Sequence, residues 1–319
     1  MKNGPVFIKA AYKRKDTMIA RFKHLIVALL SQLRIRNPIY FMKKKILRRV
    51  LMRKMLNSPV RELALIGAVN CKAIVENEVL DKWIKDYGLD LSNILPSEGN
   101  LAFPFFNEDV LKLLVDSKFS SILEGYFINM YGCRPVLQSI PYLVISYPNI
   151  SHGSFDPKKN NFPAHWHTDY QSEFTVHVPL GEINSSCTHT VYAVDTHTSF
   201  FRPPSDPSKI KNIFKSFCGR GDAVMLDVDG WHHGHLEGSS PRLMVQFKFT
   251  KGNDLLNYPE QGITPKARMQ IERTKNNIHT FDTIKRQLRK DIVFSQSISS
   301  QIPMLAVIED NIKYYHDYI

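Results

Sequence analysis

Residues 223–250, AVMLDVDGWHHGHLEGSSPRLMVQFKFT, hold the pattern that decides the fold. Two runs of strand formers, Ala223 to Val228 and Arg242 to Thr250, flank a polar turn with three histidines. In the second run Leu243, Val245, Phe247 and Phe249 alternate with Arg242, Met244, Gln246 and Lys248. Side chains on a strand point alternately to its two faces, so one face suits an apolar core and the other carries the arginine. Upstream, Tyr142 to Tyr147 lies between Pro141 and Pro148, Glu173 to Leu180 alternates, and Thr190 to Val194 is another short apolar run. Several short strands separated by turn residues predict a sandwich or barrel.

Helices flank this core. Val60 to Ala68, Val75 to Tyr87 and Glu108 to Leu114 carry apolar residues at three- and four-residue spacing, interrupted by Pro96, Gly99 and Pro104. Helical patterning returns from Pro265 to Val293 and from Asp310 to Tyr318, and Pro148 to Pro163 reads as a polar surface loop. The expected organisation is a basic helical arm over 1–58 and one α+β domain over 59–319. Within the latter, 59–132 supports, 133–252 forms the β-core and 253–319 is helical.

The chain has 319 residues, 43% of them apolar and 23% charged, a balance that excludes wholesale disorder. Cys71, Cys133, Cys187 and Cys218 form no short-spaced pair, so the chain is expected to carry reduced thiols in a cytoplasm-like compartment. The net charge is +12, but residues 1–54 hold 16 of the 42 Lys and Arg residues and one acid, Asp16, leaving 26 bases against 29 acids elsewhere. The excess therefore sits in the N-terminal arm.

No run of apolar residues reaches the length of a membrane span, and the run Leu25 to Leu30 is too short for a signal sequence. Asn37-Pro38 opens a helix in which Ile39, Met42, Ile46, Val50 and Leu51 recur at helical spacing among seven Lys and Arg residues. Three readings stand: a helix packed on the body with its basic face in water, a helix on an anionic membrane surface, or a nucleic-acid arm or presequence. Few aromatics interleave with the bases, which counts against nucleic acid.

Eight of the twelve histidines lie from His165 to His235, five of them in the clusters His165-Trp-His167-Thr-Asp169 and Trp231-His-His-Gly-His235. An H-x-D on an extended segment puts imidazole and carboxylate on one face, where both can bind one metal. A distal histidine closes a facial triad with open positions, the arrangement that suits non-haem Fe(II). Arg242 follows His232 by ten residues and lies on the polar face of its strand, where its planar fork suits a carboxylate. His232 and His233 both remain candidates for the distal position. His152, His177, His189 and His197 read as packing or surface residues.

This set, from about Pro141 to Thr250, resembles the Fe(II)/2-oxoglutarate-dependent oxygenases, and most of all their phytanoyl-CoA dioxygenase-like branch. The matching pieces are His167-Thr-Asp169, the strand Phe174 to Leu180, Thr190 to His197, and Gly221-Asp-Ala-Val-Met-Leu running into Trp231-His-His-Gly and Arg242. The resemblance implies a double-stranded β-helix, a jelly-roll or cupin-like barrel with helices outside. It implies iron held by His167, Asp169 and His232, 2-oxoglutarate held through Arg242, and O₂ as oxidant. Met244 stands where some of these oxygenases place a serine, so a second anchor for 2-oxoglutarate must lie elsewhere; Tyr142, Ser146 and Tyr147 are the candidates. The carboxylate of Asp169 implies hydroxylation rather than halogenation. A small-molecule or lipid-linked substrate is expected, with an anionic membrane surface as partner of residues 1–54. The competing expectations are a cupin-like metalloprotein without 2-oxoglutarate and a non-catalytic protein that acts through its arm.

Overall fold

The computed structural model describes residues 36–54, 58–90, 94–95, 100–115, 117–138, 141–148, 166–169, 173–204, 206–235 and 238–251, with five helical positions between 283 and 290. The helices are α1 (Pro38–Arg53), α2 (Ser58–Ile66), α3 (Asn77–Tyr87), α4 (Glu108–Val115) and α5 (Lys118–Tyr131). The strands are β1 (Ala68–Cys71), β2 (Asn100–Pro104), β3 (Pro135–Leu137), β4 (Tyr142–Ser146), β5 (Phe174–Pro179), β6 (His189–Ala193), β7 (Ile213–Lys215), β8 (Ala223–Asp227), β9 (His232–His235) and β10 (Arg242–Lys251). The loop Pro148 to Pro163 and the C-terminal helical patterns fall almost wholly outside the described residues.

Seven strands form one antiparallel sheet in the order β1-β8-β5-β10-β4-β2, with β3 also pairing with β10. The second sheet runs β7-β6-β9, and a bridge from His167 to His232 extends it. Register on β10 realises the alternation of its sequence. Val245, Phe247 and Phe249 stand opposite Val178, Val176 and Phe174, and join Trp83, Tyr87, Phe119 and Phe127 of the helices in the main core. The other parity gives a polar face: Arg242 opposite Ser146, Gln246 opposite Tyr142 and His177, and Lys248 opposite Thr175. One β-sheet thus separates a helix-covered apolar layer from a polar space that faces the smaller sheet.

Strands β1 and β2 were not apparent from sequence. Val60 to Ala68 ends as a helix at Ile66, and Gly67, at φ +87, turns the chain into β1. A side chain at Gly67 would run into the Tyr192 hydroxyl, so glycine is required both by conformation and by space. Strand β2 lies among the prolines and glycine that read as breakers, and Pro104 closes it at the sheet edge, where a missing N–H is tolerated.

Helix α1 forms where the sequence places it: Asn37 accepts from the Tyr40 amide at 3.2 Å and Pro38 opens the first turn. Of the five apolar residues at helical spacing only Leu51 meets the body; otherwise the orientation reverses the reading of a helix packed through that stripe. Phe41, Lys44 and Leu51 face the body, while Ile39, Met42, Ile46 and Val50 are exposed. The cause is electrostatic. The Lys44 ammonium, 2% exposed, sits 2.8 Å from Asp227 Oδ1 and 2.5 Å from Asp229 Oδ2. Tyr40 donates to Asp229 at 2.8 Å, and Tyr126 and Tyr131 donate to Asp227 at 2.5 and 3.0 Å. Burial, reinforced by these carboxylates, pushes the three phenols well above their ordinary range and keeps them as neutral donors. Arg36 adds an ion pair to Asp229 at 3.3 Å, and Arg48 one to Asp195 at 2.5 Å. Part of the arm's positive charge therefore neutralises acids of the body.

Candidate metal centre and anion pocket

The segment of His167 lies antiparallel to that of His232: each amide donates to the other's carbonyl at 3.0 Å. The Asp169 amide donates to the Val228 carbonyl at 3.2 Å, which keeps 167–169 extended. Residues two apart on an extended segment share a face, so His167 and Asp169 both turn toward His232. The three side chains offer ligand atoms all within 4.8 Å of one another. His167 Nε2 is 3.6 Å from Asp169 Oδ1, and His232 Nε2 is 3.6 Å from Asp169 Oδ2.

The turn that aims His232 depends on close packing. Tyr192, fully buried, donates to the Asp227 carbonyl at 2.7 Å and leaves no room for a side chain at Gly230. The Gly230 carbonyl in turn lies 3.0 Å from His232 Nδ1. With the proton on Nδ1, that contact holds the ring and leaves Nε2, the atom facing Asp169, as a lone-pair donor. Burial opposes the charge on Asp169, but its neighbours His232, Lys248 and His167 outweigh it and hold the carboxyl well below its usual range. Asp169 is thus an ionised oxygen donor beside two imidazoles.

The neighbouring histidines take other positions. His233 lies on the opposite face of β9, its ring 4.5 Å from that of Trp166, and the His235 ring is 4.5 Å from that of His189. His165 and His152 fall outside the described residues. His177 and His197 are buried; His177 Nε2 lies 3.1 Å from the Gln246 amide on the polar face of the large sheet.

Arg242 lies on the same inner face, at the end of β10 near β6. It is 2% exposed, and its one hydrogen bond among the described residues is 3.2 Å long, to Thr190 Oγ1. Its Nε has no partner, and no carboxylate pairs with it among the described residues. Burial pulls its pKa down to about 10, with the nearby Cys218 and Cys187 thiols opposing. A buried guanidinium held, among the described residues, by one hydroxyl is an unmet electrostatic demand there.

Of the three hydroxyls named in the sequence as second anchors, Ser146 stands directly opposite Arg242, and its buried Oγ has no partner among the described residues. Tyr147 donates to the Ile94 carbonyl at 3.1 Å. Tyr142 lies four residues farther along β4, opposite Gln246, packed beside Ala102, Val144 and Met244. Thr190 was missed by the sequence reading. The visible signal was strand parity in His189-Thr-Val-Tyr-Ala193, which puts Thr190 and Tyr192 on the side of β6 that His232 and Gly234 occupy on β9.

Near the metal side, the partly exposed Lys248 pairs with the buried Glu173 at 2.6 Å. Burial works against its ammonium, but Glu173 and Asp169 prevail and raise its pKa. All four cysteines are free thiols, and no helix among the described residues is long and apolar enough to cross a membrane.

No protein-family model matches the chain, and no curated protein matches its sequence. Among solved structures it is similar to HygX from Streptomyces hygroscopicus with nickel and 2-oxoglutarate bound, at 11% identity over 62% of this chain and 88% of that one, with a TM-score of 0.45. It is similar to the epimerase SnoN in complex with Fe3+, alpha ketoglutarate and nogalamycin RO, at 11% identity over 60% and 82%, with a TM-score of 0.44. For EctD from S. alaskensis the identity is 12% over 62% and 80%, and the TM-score 0.43. At this level the likeness concerns the course of the chain and not its chemistry.

Proposed function

We propose that this chain is a non-haem Fe(II)- and 2-oxoglutarate-dependent oxygenase that hydroxylates a small-molecule substrate. In this reading the two sheets, between which the chain passes repeatedly from β4 to β10, are the faces of a double-stranded β-helix. The observation that carries the proposal is Arg242: a buried cation with an orphaned Nε, beside the orphaned Ser146 hydroxyl, on the inner faces that also carry the His167, Asp169 and His232 cluster. The donor set fits the cofactors. Two imidazole nitrogens and one carboxylate suit Fe(II) and leave adjacent positions open. A dicarboxylate suits the remaining demand, because Arg242 offers a fork and Ser146 a hydroxyl to its far end.

Iron and 2-oxoglutarate together would supply the activation of O₂ toward an unactivated C–H bond. The chain's own residues supply geometry. His167, Asp169 and His232 would hold the metal, with the His232 ring fixed through Gly230. Arg242 would clamp the far carboxylate, with Thr190 orienting the guanidinium. The phytanoyl-CoA dioxygenase-like branch is part of this proposal on the strength of the sequence motifs, and a lipid- or sugar-linked substrate on that of the basic N-terminal helix.

Arg242 gives the test. Truncating one partner of a buried charged pair costs about 2–5 kcal/mol, so Arg242→Ala should weaken 2-oxoglutarate binding by roughly thirtyfold or more. Iron binding should persist, since Arg242 is not in the metal cluster. Arg242→Lys should recover part of the loss, because an ammonium cannot reproduce the fork. Without co-substrate, Arg242→Met should leave the protein as stable as wild type or more so, since it removes a buried charge that no carboxylate among the described residues pairs with. The measurements are anaerobic titration with 2-oxoglutarate at fixed iron, and urea unfolding. Unchanged affinity in Arg242→Ala would turn the assignment to a cupin-like centre that does not use 2-oxoglutarate.

A further inference from the structure

The reversed orientation of α1 exposes a surface that the chemistry of the centre does not use. Ile39 is 80% exposed, Met42 59%, Ile46 56% and Val50 47%. At 100° per residue these four form a single stripe along a helix of 16 residues, about 24 Å long. Lys43 borders the stripe on one side, Lys45 and Arg49 on the other, and Arg53 at its end; all four are exposed. No carboxylate pairs with these four bases among the described residues, whereas Lys44 and Arg48 on the opposite side are committed to Asp227, Asp229 and Asp195. From Asp16 to Glu62 the sequence contains no other acid.

We propose that this face of α1 docks on an anionic lipid bilayer. An aliphatic stripe bordered by bases, lying flat on the outside of a folded body, matches the interfacial depth at which acyl chains give way to headgroups. Each base near an anionic leaflet contributes about 1 kcal/mol of attraction. A second copy of the chain would bring the same uncompensated bases together, and a duplex nucleic acid would leave the aliphatic stripe without a partner. The inner face, with Lys44 and Arg48 fixed on the body, holds the helix in register so that the stripe points outward before any membrane is met. Docking would place the oxygenase at a lipid surface without a spanning segment.

The test uses the full-length protein with vesicles of phosphatidylcholine, alone or with roughly one third phosphatidylserine, in co-sedimentation at low and high salt. Wild type should bind the anionic vesicles, bind the neutral ones far less, and be released by salt. Lys43→Glu/Arg49→Glu should lower partitioning by about thirtyfold or more. Ile39→Ser/Ile46→Ser, which leaves every charge in place, should lower it by about tenfold. A tryptophan at the stripe (Met42→Trp) should shift its emission to shorter wavelength on binding, which adsorption through residues 1–35 alone would not produce. Iron and 2-oxoglutarate binding should be unchanged in all three variants, so a failure here is separate from a failure of the oxygenase reading. Wild-type partitioning in both double variants, equal binding to neutral vesicles, or no binding by wild type would each overturn the proposal.

Discussion

Lys44→Met is expected to destabilise the protein by about 3–5 kcal/mol, the cost of breaking a buried ion pair by removing one partner. Methionine keeps most of the volume of the lysine stem, so the change isolates the charge. The ammonium lies 2.7 Å from one Asp227 oxygen and 2.5 Å from Asp229, and both carboxylates are fully buried. Without it, Asp229 keeps Arg36 and Tyr40, but Asp227 keeps only neutral donors, the phenols of Tyr126 and Tyr131 and the Asp229 amide. A second substitution distinguishes this account from general damage. Asp227→Asn in the Lys44→Met background should cost less than the sum of the single changes, because it removes the carboxylate that Lys44→Met leaves uncompensated. Urea unfolding of the four proteins gives the coupling directly. A loss below about 1 kcal/mol in Lys44→Met, or strict additivity, would show that the cluster does not hold α1 to the body.

The cluster also ties that helix to the centre. Asp227 and Asp229 lead through Gly230 into His232, and the Asp169 amide rests on Val228 between them. A chain shortened to begin after α1 would lose Lys44, Arg36 and Tyr40 together. The basic helix is therefore both a cover for the acidic turn and, through its other face, the proposed membrane contact.

Much of the β-core was legible in the sequence because the large sheet has one face in an apolar core and one in a polar space. The alternation in Arg242 to Thr250 reports that environment residue by residue, and the ends of β4, β5, β6 and β8 fall within one residue of their expected places. The histidine–aspartate cluster was legible for the same reason: H-x-D on an extended segment fixes a shared face. Strands β1 and β2 were hidden because they sit beside Gly67 and Pro104, signals that mark strand ends as often as interruptions, and β1 has only four residues. The inner face of α1 was hidden more deeply. Helical spacing identified an apolar stripe, and burial of that stripe was the ordinary expectation. Two buried aspartates more than 180 residues away reversed it, and no local pattern carries that information. Thr190 and Ser146 at Arg242 were of the same kind, since they meet only across strands.

The triad itself should respond most sharply. His167→Ala, Asp169→Ala and His232→Ala are each expected to lower Fe(II) affinity by more than about a hundredfold, since even an outer partner of a metal ligand is worth 10- to 100-fold. Each variant should remain folded, because the three side chains lie at the rim of the polar space and outside the main apolar core. Asp169→Asn should fail nearly as fully as Asp169→Ala, because the amide keeps the shape but loses the charge that faces His167 and His232 at 3.6 Å. His233→Ala is the control. Strand parity puts that ring against Trp166, on the other face of β9, so iron should bind as in wild type. The measurement is anaerobic titration with Fe(II), with metal content after gel filtration and far-ultraviolet circular dichroism as a check of folding. Retained iron in His232→Ala together with lost iron in His233→Ala would place the distal ligand one residue later, a register in which the bridge from His167 to His232 and the hold of Gly230 on the His232 ring would have no part in the centre.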